Sequence, residues 1–190
     1  MPKVDDAHFA ARRRQILDAA AACFAREGFH RTSVQDIVRE SGVSAGLVYR
    51  YFQGKDDMIA AIVAERHEYR AAVLGADPAA GFIALLRSIG DPAARDDLRL
   101  RVQVWAETIR SAPIRELARA GVEEPIRLTA PALAGVSAQG ADPAAVARVL
   151  IAVYQGLVLQ TVWDDDLDHA AFVHAVEVLL AGLLPPSSQG

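Results

Sequence analysis

The segment that decides the fold is Ser41 to Phe52, with the sequence SGVSAGLVYRYF. Gly42 can adopt the left-handed conformation that ends a helix, and Ser44 is a preferred N-cap residue for the next helix. Val43 lies between them as an apolar plug. The pattern predicts a tight turn between two helices, with the second helix running from about 45 to 51.

The residues upstream complete a three-helix unit. A first helix is predicted over about 9–26, where apolar residues recur on one helical face. The helix before the turn has two alternative starts: Thr32 forms a capping box with Gln35, and Ser33 forms a looser one with Asp36. Helices joined in this way make a helix-turn-helix, whose second helix can enter the major groove of DNA.

Charge is distributed unevenly along the chain. Residues 12–55 carry eight basic and four acidic side chains, a net charge of +4, whereas the whole chain carries -4. The remaining residues therefore carry -8. A basic head on an acidic body is expected when only one part of a protein meets phosphate.

Composition indicates a globular helical protein in a reducing compartment. The 190 residues are 52% hydrophobic and 6% aromatic, and the single cysteine excludes an internal disulfide. The N-terminus has no apolar signal core. Polar residues interrupt the two longest apolar runs, 146–163 and 170–184, so we interpret both as buried helices of a soluble, cytoplasmic protein rather than as membrane spans.

The downstream residues predict helices only. Three Asp-Pro pairs, Asp77-Pro78, Asp91-Pro92 and Asp142-Pro143, place an N-cap aspartate before a proline suited to the first helical position. The remaining helices are predicted over about 55–74, 78–89, 92–111 with a break near Asp97, 113 onward until Pro125 and Pro131 kink or end it, 143–163 and 167–184, with a loop at 135–141. This is an all-α fold of about nine helices, divided into a helix-turn-helix domain at 1–54 and a helical ligand-binding and dimerisation domain at 55–190.

Several side chains of the head suit contact with DNA. Tyr49 can donate a hydrogen bond to a phosphate, and Lys55 can do so with full charge at a helix N-terminus. Small residues on the first turn of the third helix allow close approach but make no bidentate base contact. The residues predicted to bind DNA are Arg31, Thr32, Ser33, Gln35, Ser44, Ala45, Gly46, Leu47, Tyr49, Arg50 and Lys55.

These residues carry a family resemblance. The runs QILDAA (Gln15–Ala20), FAREGF (Phe24–Phe29), TSVQDI (Thr32–Ile37) and Ser41–Phe52, with Lys55, make the first 60 residues similar to the N-terminal domain of TetR-type transcriptional regulators. The resemblance implies a symmetric dimer that binds double-stranded operator DNA and a helical C-terminal domain whose small-molecule effector releases that DNA. It also implies phosphate contacts from Tyr49 and Lys55.

One position departs from the family pattern. Position 45 often carries a larger polar or basic residue in TetR-type regulators, whereas this chain has Ala45. The departure shifts base recognition toward Gln35, Arg31, Tyr49 and the shape of the DNA.

The last two predicted helices are apolar on most of their surface, which a lone surface helix cannot be. Two such helices from each chain can form a four-helix dimer interface, and Gly156 would permit close approach. The alternative is that the apolar stripes pack inside one chain. The predicted interface residues are Val149, Val153, Gly156, Leu157, Gln160, Phe172, Val176, Leu179, Leu180 and Leu183.

An effector pocket is predicted from the bulky and charged residues of the body, with ordinary core packing as the alternative. Its candidates are Tyr69, Phe82, Arg101, Trp105, Ile109, Tyr154 and Trp163. No cofactor is predicted. The acidic run Asp164–Asp168 lacks the glycine and terminal glutamate of a calcium loop, so no metal site is predicted either.

The sequence therefore predicts a homodimeric, ligand-responsive transcriptional repressor. An enzyme is disfavoured because the chain has no nucleophile motif, metal-ligand spacing or phosphate loop. The remaining alternative is a helical small-molecule-binding or interaction module without sequence-specific DNA binding.

Overall fold

The structure is a computed structural model that describes residues 3–183, without the side chains of 3–6, 76, 136–139 and 183. Within these residues the chain forms nine α-helices, two 3-10 helices and no strand. The α-helices are α1 Lys3–Glu27, α2 Val34–Ser41, α3 Ala45–Tyr51, α4 Lys55–Ala76, α5 Pro78–Ile89, α6 Arg95–Glu107, α7 Ala112–Thr129, α8 Pro143–Trp163 and α9 His169–Leu183. The 3-10 helices are Pro92–Ala94 and Ala130–Gln139. The predicted all-α architecture is confirmed.

The chain divides into two compact units. Unit 1 comprises Met1–Arg66 and Arg99–Leu117, and unit 2 comprises His67–Leu98 and Ala118–Gly190. This division by compactness is a different property from the functional division at 54/55, which stays a prediction.

Unit 1 has one continuous hydrophobic core. Its most buried side chains come from several helices: Ile16 and Phe24 of α1, Val48 of α3, Met58 of α4 and Leu100 of α6, each at most 1% exposed. The short helices α2 and α3 have few residues of their own, so tertiary burial rather than helix propensity holds them in place.

Unit 2 is built around α5, which packs against α8 and α9, while the 3-10 helix Ala130–Gln139 packs against α8. Asp77 caps α5 and Asp142 caps α8, and each accepts hydrogen bonds from two backbone N–H groups at the helix start. The Asp-Pro pairs at these two positions act as predicted. By length and composition alone, α8 is also long and apolar enough to cross a membrane.

Some predicted boundaries are wrong. α1 starts at Lys3 rather than near 9. The break expected near Asp97 does not occur, because Asp96 and Asp97 occupy the first turn of α6, where the helix dipole favours acidic side chains. The helix expected from about 92 begins with the 3-10 turn Pro92–Ala94. α9 starts at His169 rather than near 167.

The prolines of α7 act differently from one another. Pro125 lies inside α7, which continues to Thr129, and the Thr129 hydroxyl donates a hydrogen bond of 2.8 Å to the Pro125 carbonyl. Pro131 lies just beyond the α-helix, in the following 3-10 helix. The loop expected at 135–141 is therefore shorter, because the 3-10 helix extends through Gln139.

A close contact between α4 and α5 depends on Gly81. A Cβ atom at this position would lie 2.3 Å from the Val73 carbonyl oxygen and 3.1 Å from the Leu74 Cα, both backbone atoms. We expect Gly81→Ala to lower the free energy of unfolding by about 1–3 kcal/mol, because the two helices must separate. Urea denaturation measures the change. Gly75→Ala, with open space around its new Cβ, is the control and should not destabilise the protein. Equal stability of the two variants would contradict the prediction.

Candidate nucleic-acid interface and ligand cavity

The turn between α2 and α3 has the predicted geometry. Gly42 adopts the left-handed conformation with φ 67°, and its N–H donates to the Val38 carbonyl at 3.1 Å. The Ser44 hydroxyl oxygen accepts a hydrogen bond from the Leu47 N–H at 3.3 Å, which caps α3. Val43 is 7% exposed and fills the space beneath the turn. These three residues fix the direction in which α3 leaves α2.

The start of α2 settles the two alternative capping boxes. Ser33 is the N-cap: its hydroxyl oxygen accepts from the Asp36 N–H at 3.2 Å, while the Asp36 carboxylate accepts from the Ser33 N–H at 2.9 Å. Hydrogen bonds from the Ser33 hydroxyl and backbone hold the pKa of Asp36 below its ordinary value. The Ser33–Asp36 box is confirmed, and the Thr32–Gln35 box is wrong.

Thr32 has a structural place instead. Its side chain is buried at 2% exposure, and its hydroxyl lies 2.8 Å from the Gly28 carbonyl and 3.2 Å from the Cys23 carbonyl. A hydroxyl directed at the end of α1 is withdrawn from solvent, so Thr32 is not available to a phosphate in this structure. This corrects its assignment to the DNA-binding set.

We expect Thr32→Val to lower the free energy of unfolding by about 1–3 kcal/mol, because the hydrogen bond that the buried Thr32 hydroxyl makes at the end of α1 is lost. Thr32→Ser should retain most of the stability. Neither variant should change the salt dependence of DNA binding, measured by titration at two ionic strengths. A stable Thr32→Val protein with a weaker salt dependence would instead support a phosphate contact.

The outer face of α3 is open to solvent. Ala45, Gly46 and Arg50 are exposed, and the Tyr49 side chain is 59% exposed. Leu47 was predicted to face outward, but it is half-buried and packs against the core of unit 1. The first turn of α3 therefore exposes only small side chains, and the polar side chains of Tyr49 and Arg50 lie one turn later.

Two arginines of the head keep their guanidinium groups unpaired among the described residues. Arg31 and Arg50 are exposed and have no hydrogen-bond or ion-pair partner there. Other head arginines are engaged: Arg39 lies 3.2 Å from Asp36, and Arg26 lies 3.1 Å from Glu40. Exposed and unpaired, Arg31 and Arg50 are the arginines best placed to bind an anion.

Lys55 is held at the start of α4. Its ammonium donates a hydrogen bond of 2.8 Å to the Phe29 carbonyl and lies 4.9 Å from the centre of the Phe29 ring. An ammonium group has three N–H donors, so two remain for another acceptor. Gln35 and Ser33, near the start of α2, are exposed as well.

Unit 2 contains an apolar cavity of about 120 Å³. Its walls come from the end of α4, the start of α5, the end of α7, the following 3-10 helix, α8 and α9. The residues that line it are Leu74, Asp77, Pro78, Ala79, Phe82, Pro125, Thr129, Ala132, Leu133, Ala147, Leu150, Ile151 and Leu180. Among the described residues there is no group of three or more His, Cys, Asp or Glu side chains that could hold a metal ion.

The predicted pocket residues are divided between the two units and the cavity. Only Phe82 lines the cavity. Arg101, Trp105 and Ile109 belong to unit 1, whereas the other four belong to unit 2. Tyr69, Ile109 and Trp163 are at least 60% exposed, and Tyr154 is 8% exposed and does not line the cavity. The cavity itself is lined mostly by aliphatic side chains.

One face of α8 and one face of α9 expose apolar side chains. Val149, Leu159 and Trp163 of α8 are 61%, 46% and 65% exposed, and Val178 and Leu179 of α9 are 59% and 66% exposed. The two faces also carry small residues at helical spacing: Ala152 and Gly156 on α8, and Ala171, Ala175 and Gly182 on α9. The prediction that these helices are buried is therefore only partly met.

The predicted interface residues divide into two groups. Val149 and Leu179 are exposed, and Val153, Gly156, Gln160 and Phe172 are half-buried. Leu157, Val176 and Leu180 are at most 8% exposed and pack inside their own chain. The side chain of Leu183 lies outside the described residues. Leu159, Trp163 and Val178 are exposed apolar residues that the interface prediction did not include.

A short turn that leads from one helix into a second helix with an exposed outer face, within a basic segment, is the arrangement of helix-turn-helix DNA-binding regulators. Residues 16–62 match the model of bacterial regulatory proteins of the tetR family, and residues 79–185 match that of the C-terminal part of BetI-type transcriptional repressors. The chain belongs to the TetR family of bacterial regulatory proteins. The expected family is confirmed.

Individual relatives agree with this assignment. The HTH-type transcriptional repressor Rv1474c of Mycobacterium tuberculosis is 37% identical over 114 residues, which are 60% of this chain and 59% of that repressor. The chain thus spans less than two thirds of the length of this curated relative. Such relatives are named as transcriptional regulators and repressors, which agrees with the expectation that the chain is not an enzyme.

Two solved structures have the same fold along most of their length. GusR of Salmonella enterica is 25% identical, with a TM-score of 0.76, and the match covers 92% of this chain and 95% of GusR. SmeT in a complex with triclosan is 28% identical, with a TM-score of 0.70, and the match covers 95% of this chain and 97% of that one. SmeT is the repressor of the multidrug efflux pump SmeDEF of Stenotrophomonas maltophilia.

Proposed function

We propose that this protein is a homodimeric transcriptional repressor that binds double-stranded operator DNA and releases it when a small molecule binds in unit 2. The observation that carries the proposal is the exposed face of α3, in a unit whose exposed side chains Arg31 and Arg50 have no partner among the described residues. An exposed helix with unpaired cations on a unit of net positive charge suits a polyanion.

Phosphate contacts would position the head on DNA. Tyr49 has an exposed hydroxyl-bearing ring, and Lys55 retains two N–H donors at the start of α4. The exposed N-cap Ser33 also lies at a helix N-terminus, where phosphates are favoured. These contacts set register and affinity but carry no base information.

Base recognition would come from few side chains. Ala45 and Gly46 have no polar side-chain atoms, so the first turn of α3 contributes close approach and contact with thymine methyl groups. Arg50, Arg31 and Gln35 are the exposed side chains with donors that can reach base edges. The shape of the DNA supplies the rest of the specificity.

Dimerisation would use the exposed faces of α8 and α9. Apolar side chains exposed in one chain are expected to be covered in the functional assembly. The small residues Ala152 and Gly156 permit two helices to approach closely, and a pair of helices from each chain gives a four-helix interface. A symmetric dimer places one head in each of two successive major grooves.

The apolar cavity of unit 2 is the proposed effector site. Its wall includes Leu74, which lies on α4, and α4 is a single helix whose first residue is Lys55. An effector that prefers the arrangement of α4 in which the heads do not fit DNA would release the operator.

The proposed location is the bacterial cytoplasm, where operator DNA is found. The single cysteine, Cys23, is 1% exposed, and burial is the main cause that raises the pKa of its thiol above the ordinary value. A buried, protonated thiol suits a reducing compartment.

The proposal is tested by titrating the purified protein against DNA upstream of its own gene at two salt concentrations, with unrelated DNA as competitor. Tight, salt-sensitive binding that survives the competitor is expected. Equal, weak binding to all DNA would overturn the proposal and favour a helical small-molecule-binding module that lacks sequence-specific DNA binding.

A further inference from the structure

We propose that the effector is a small, neutral, apolar molecule, such as an aromatic hydrocarbon, and not an organic cation. The inference rests on the proposed function of the unit 2 cavity as the effector site. Three properties of the cavity support it: the hydrogen bonds that its polar side chains already make, the number of aromatic rings in its walls, and its volume.

The walls of the cavity offer few polar side chains, and these are already partly used. Of the 13 residues that line it, only Asp77 and Thr129 have polar side chains. The Thr129 hydroxyl already donates to the Pro125 carbonyl at 2.8 Å. Asp77 Oδ1 accepts from the backbone N–H groups of Ala79 and Ala80 at 3.1 and 3.0 Å. A ligand with several hydrogen-bonding groups would lose bonds to water that these two side chains cannot all replace, which disfavours polar ligands.

The cavity also lacks an aromatic cage for an organic cation. Quaternary ammonium groups are recognised by cages of several aromatic rings, each supplying a cation–π contact. Phe82 is the one aromatic residue among those that line this cavity. Asp77 is the one carboxylate among the lining residues; it is exposed, and two backbone N–H groups at the start of α5 already stabilise its charge. A cation enclosed by the aliphatic part of the wall would lose its hydration without compensation.

Volume limits the ligand. The cavity measures about 120 Å³. An engineered apolar cavity of about 150 Å³, lined by Leu, Ile and Phe, stays dry and binds benzene. The aliphatic wall here, with Leu133, Leu150 and Ile151, has the same character. The buried part of the ligand is therefore about the size of a single six-membered ring with a short substituent.

The experiment uses the full chain with toluene and choline as probes. Thermal denaturation and calorimetry should give a saturable rise in Tm of about 5–10 °C with toluene at about 100 times its Kd, and no rise with choline. Ala147→Leu, which adds a side chain to the cavity wall, should weaken toluene binding at least about tenfold. If that variant does not fold, Leu150→Ala enlarges the cavity instead and should bind naphthalene more tightly than the unmodified chain does.

The outcomes separate this inference from the proposed function. Toluene binding that depends on the cavity variants supports the ligand class, whether or not it releases DNA. Toluene binding without DNA release would leave the ligand class standing and overturn the coupling to the operator. Saturable choline binding that Phe82→Ala abolishes, or absence of toluene binding, would overturn the proposed ligand class. The operator titration would still test, independently, whether the protein is a repressor.

Discussion

The double variant Arg31→Ala/Arg50→Ala is expected to bind the operator at least about 30-fold more weakly than the unmodified protein. Removal of an arginine that contacts a base or a phosphate weakens the binding free energy by about 1–3 kcal/mol. Each one that neutralises a phosphate also contributes about 0.9 to the slope of log K against log salt concentration. Because both guanidinium groups are exposed and unpaired among the described residues, their loss should not destabilise the fold. Titrations at several salt concentrations measure affinity and slope together.

Arg110→Ala is the matched control. Arg110 is also exposed and without a side-chain partner among the described residues, and it lies in unit 1 just beyond α6, outside the helix-turn-helix. Arg110→Ala removes one positive charge, half of the change made by the double variant, and should leave the slope almost unchanged. If the double variant retains the original affinity and slope, Arg31 and Arg50 do not contact DNA, and Lys55, Tyr49 and Ser33 must carry the interface.

The geometry of the helix-turn-helix could be predicted because its determinants are local. Gly42 supplies a positive φ, Ser44 supplies a cap within three residues, and Val43 fills the turn between them. Thr32 shows where local reasoning ends. A threonine and a serine are both good caps, and only the buried position of Thr32 against the end of α1 shows which of the two caps α2.

The cavity could not be predicted because no short segment encodes it. Its walls come from residues as distant in sequence as Leu74 and Leu180, and its volume is a property of how those elements pack. The exposed positions of α8 and α9 could not be predicted reliably for a different reason. Leu157 is fully buried and Leu159 is 46% exposed, although both are leucines two positions apart. Residues two positions apart point about 200° apart around the helix axis, so one can lie in the core and the other on the surface. A prediction that misplaces the buried face by one residue therefore confuses core and surface positions.

Leu179→Arg is expected to convert the dimer to a monomer and to weaken binding to the full operator by about 10²–10⁴-fold. A charge at the centre of the exposed apolar face of α9 would lose its hydration when a second chain covers it. Loss of the dimer removes the second head, and with it the gain from bivalent binding. Ala152→Arg should act in the same way from the exposed face of α8, because a long side chain blocks close approach beside Gly156. Sedimentation analysis gives the oligomeric state, and DNA titration gives the affinity.

Ala120→Arg is the control, since it adds the same side chain at an exposed alanine of α7, outside α8 and α9. It should leave a dimer with unchanged operator affinity. Binding of the monomeric variants to a half-site should remain, because the heads are built from unit 1 and do not depend on these substitutions. If both arginine variants stay dimeric and bind the full operator normally, the exposed faces of α8 and α9 are not the interface. If the control also dissociates, the effect is one of charge in general, and the dimer is held by a different surface.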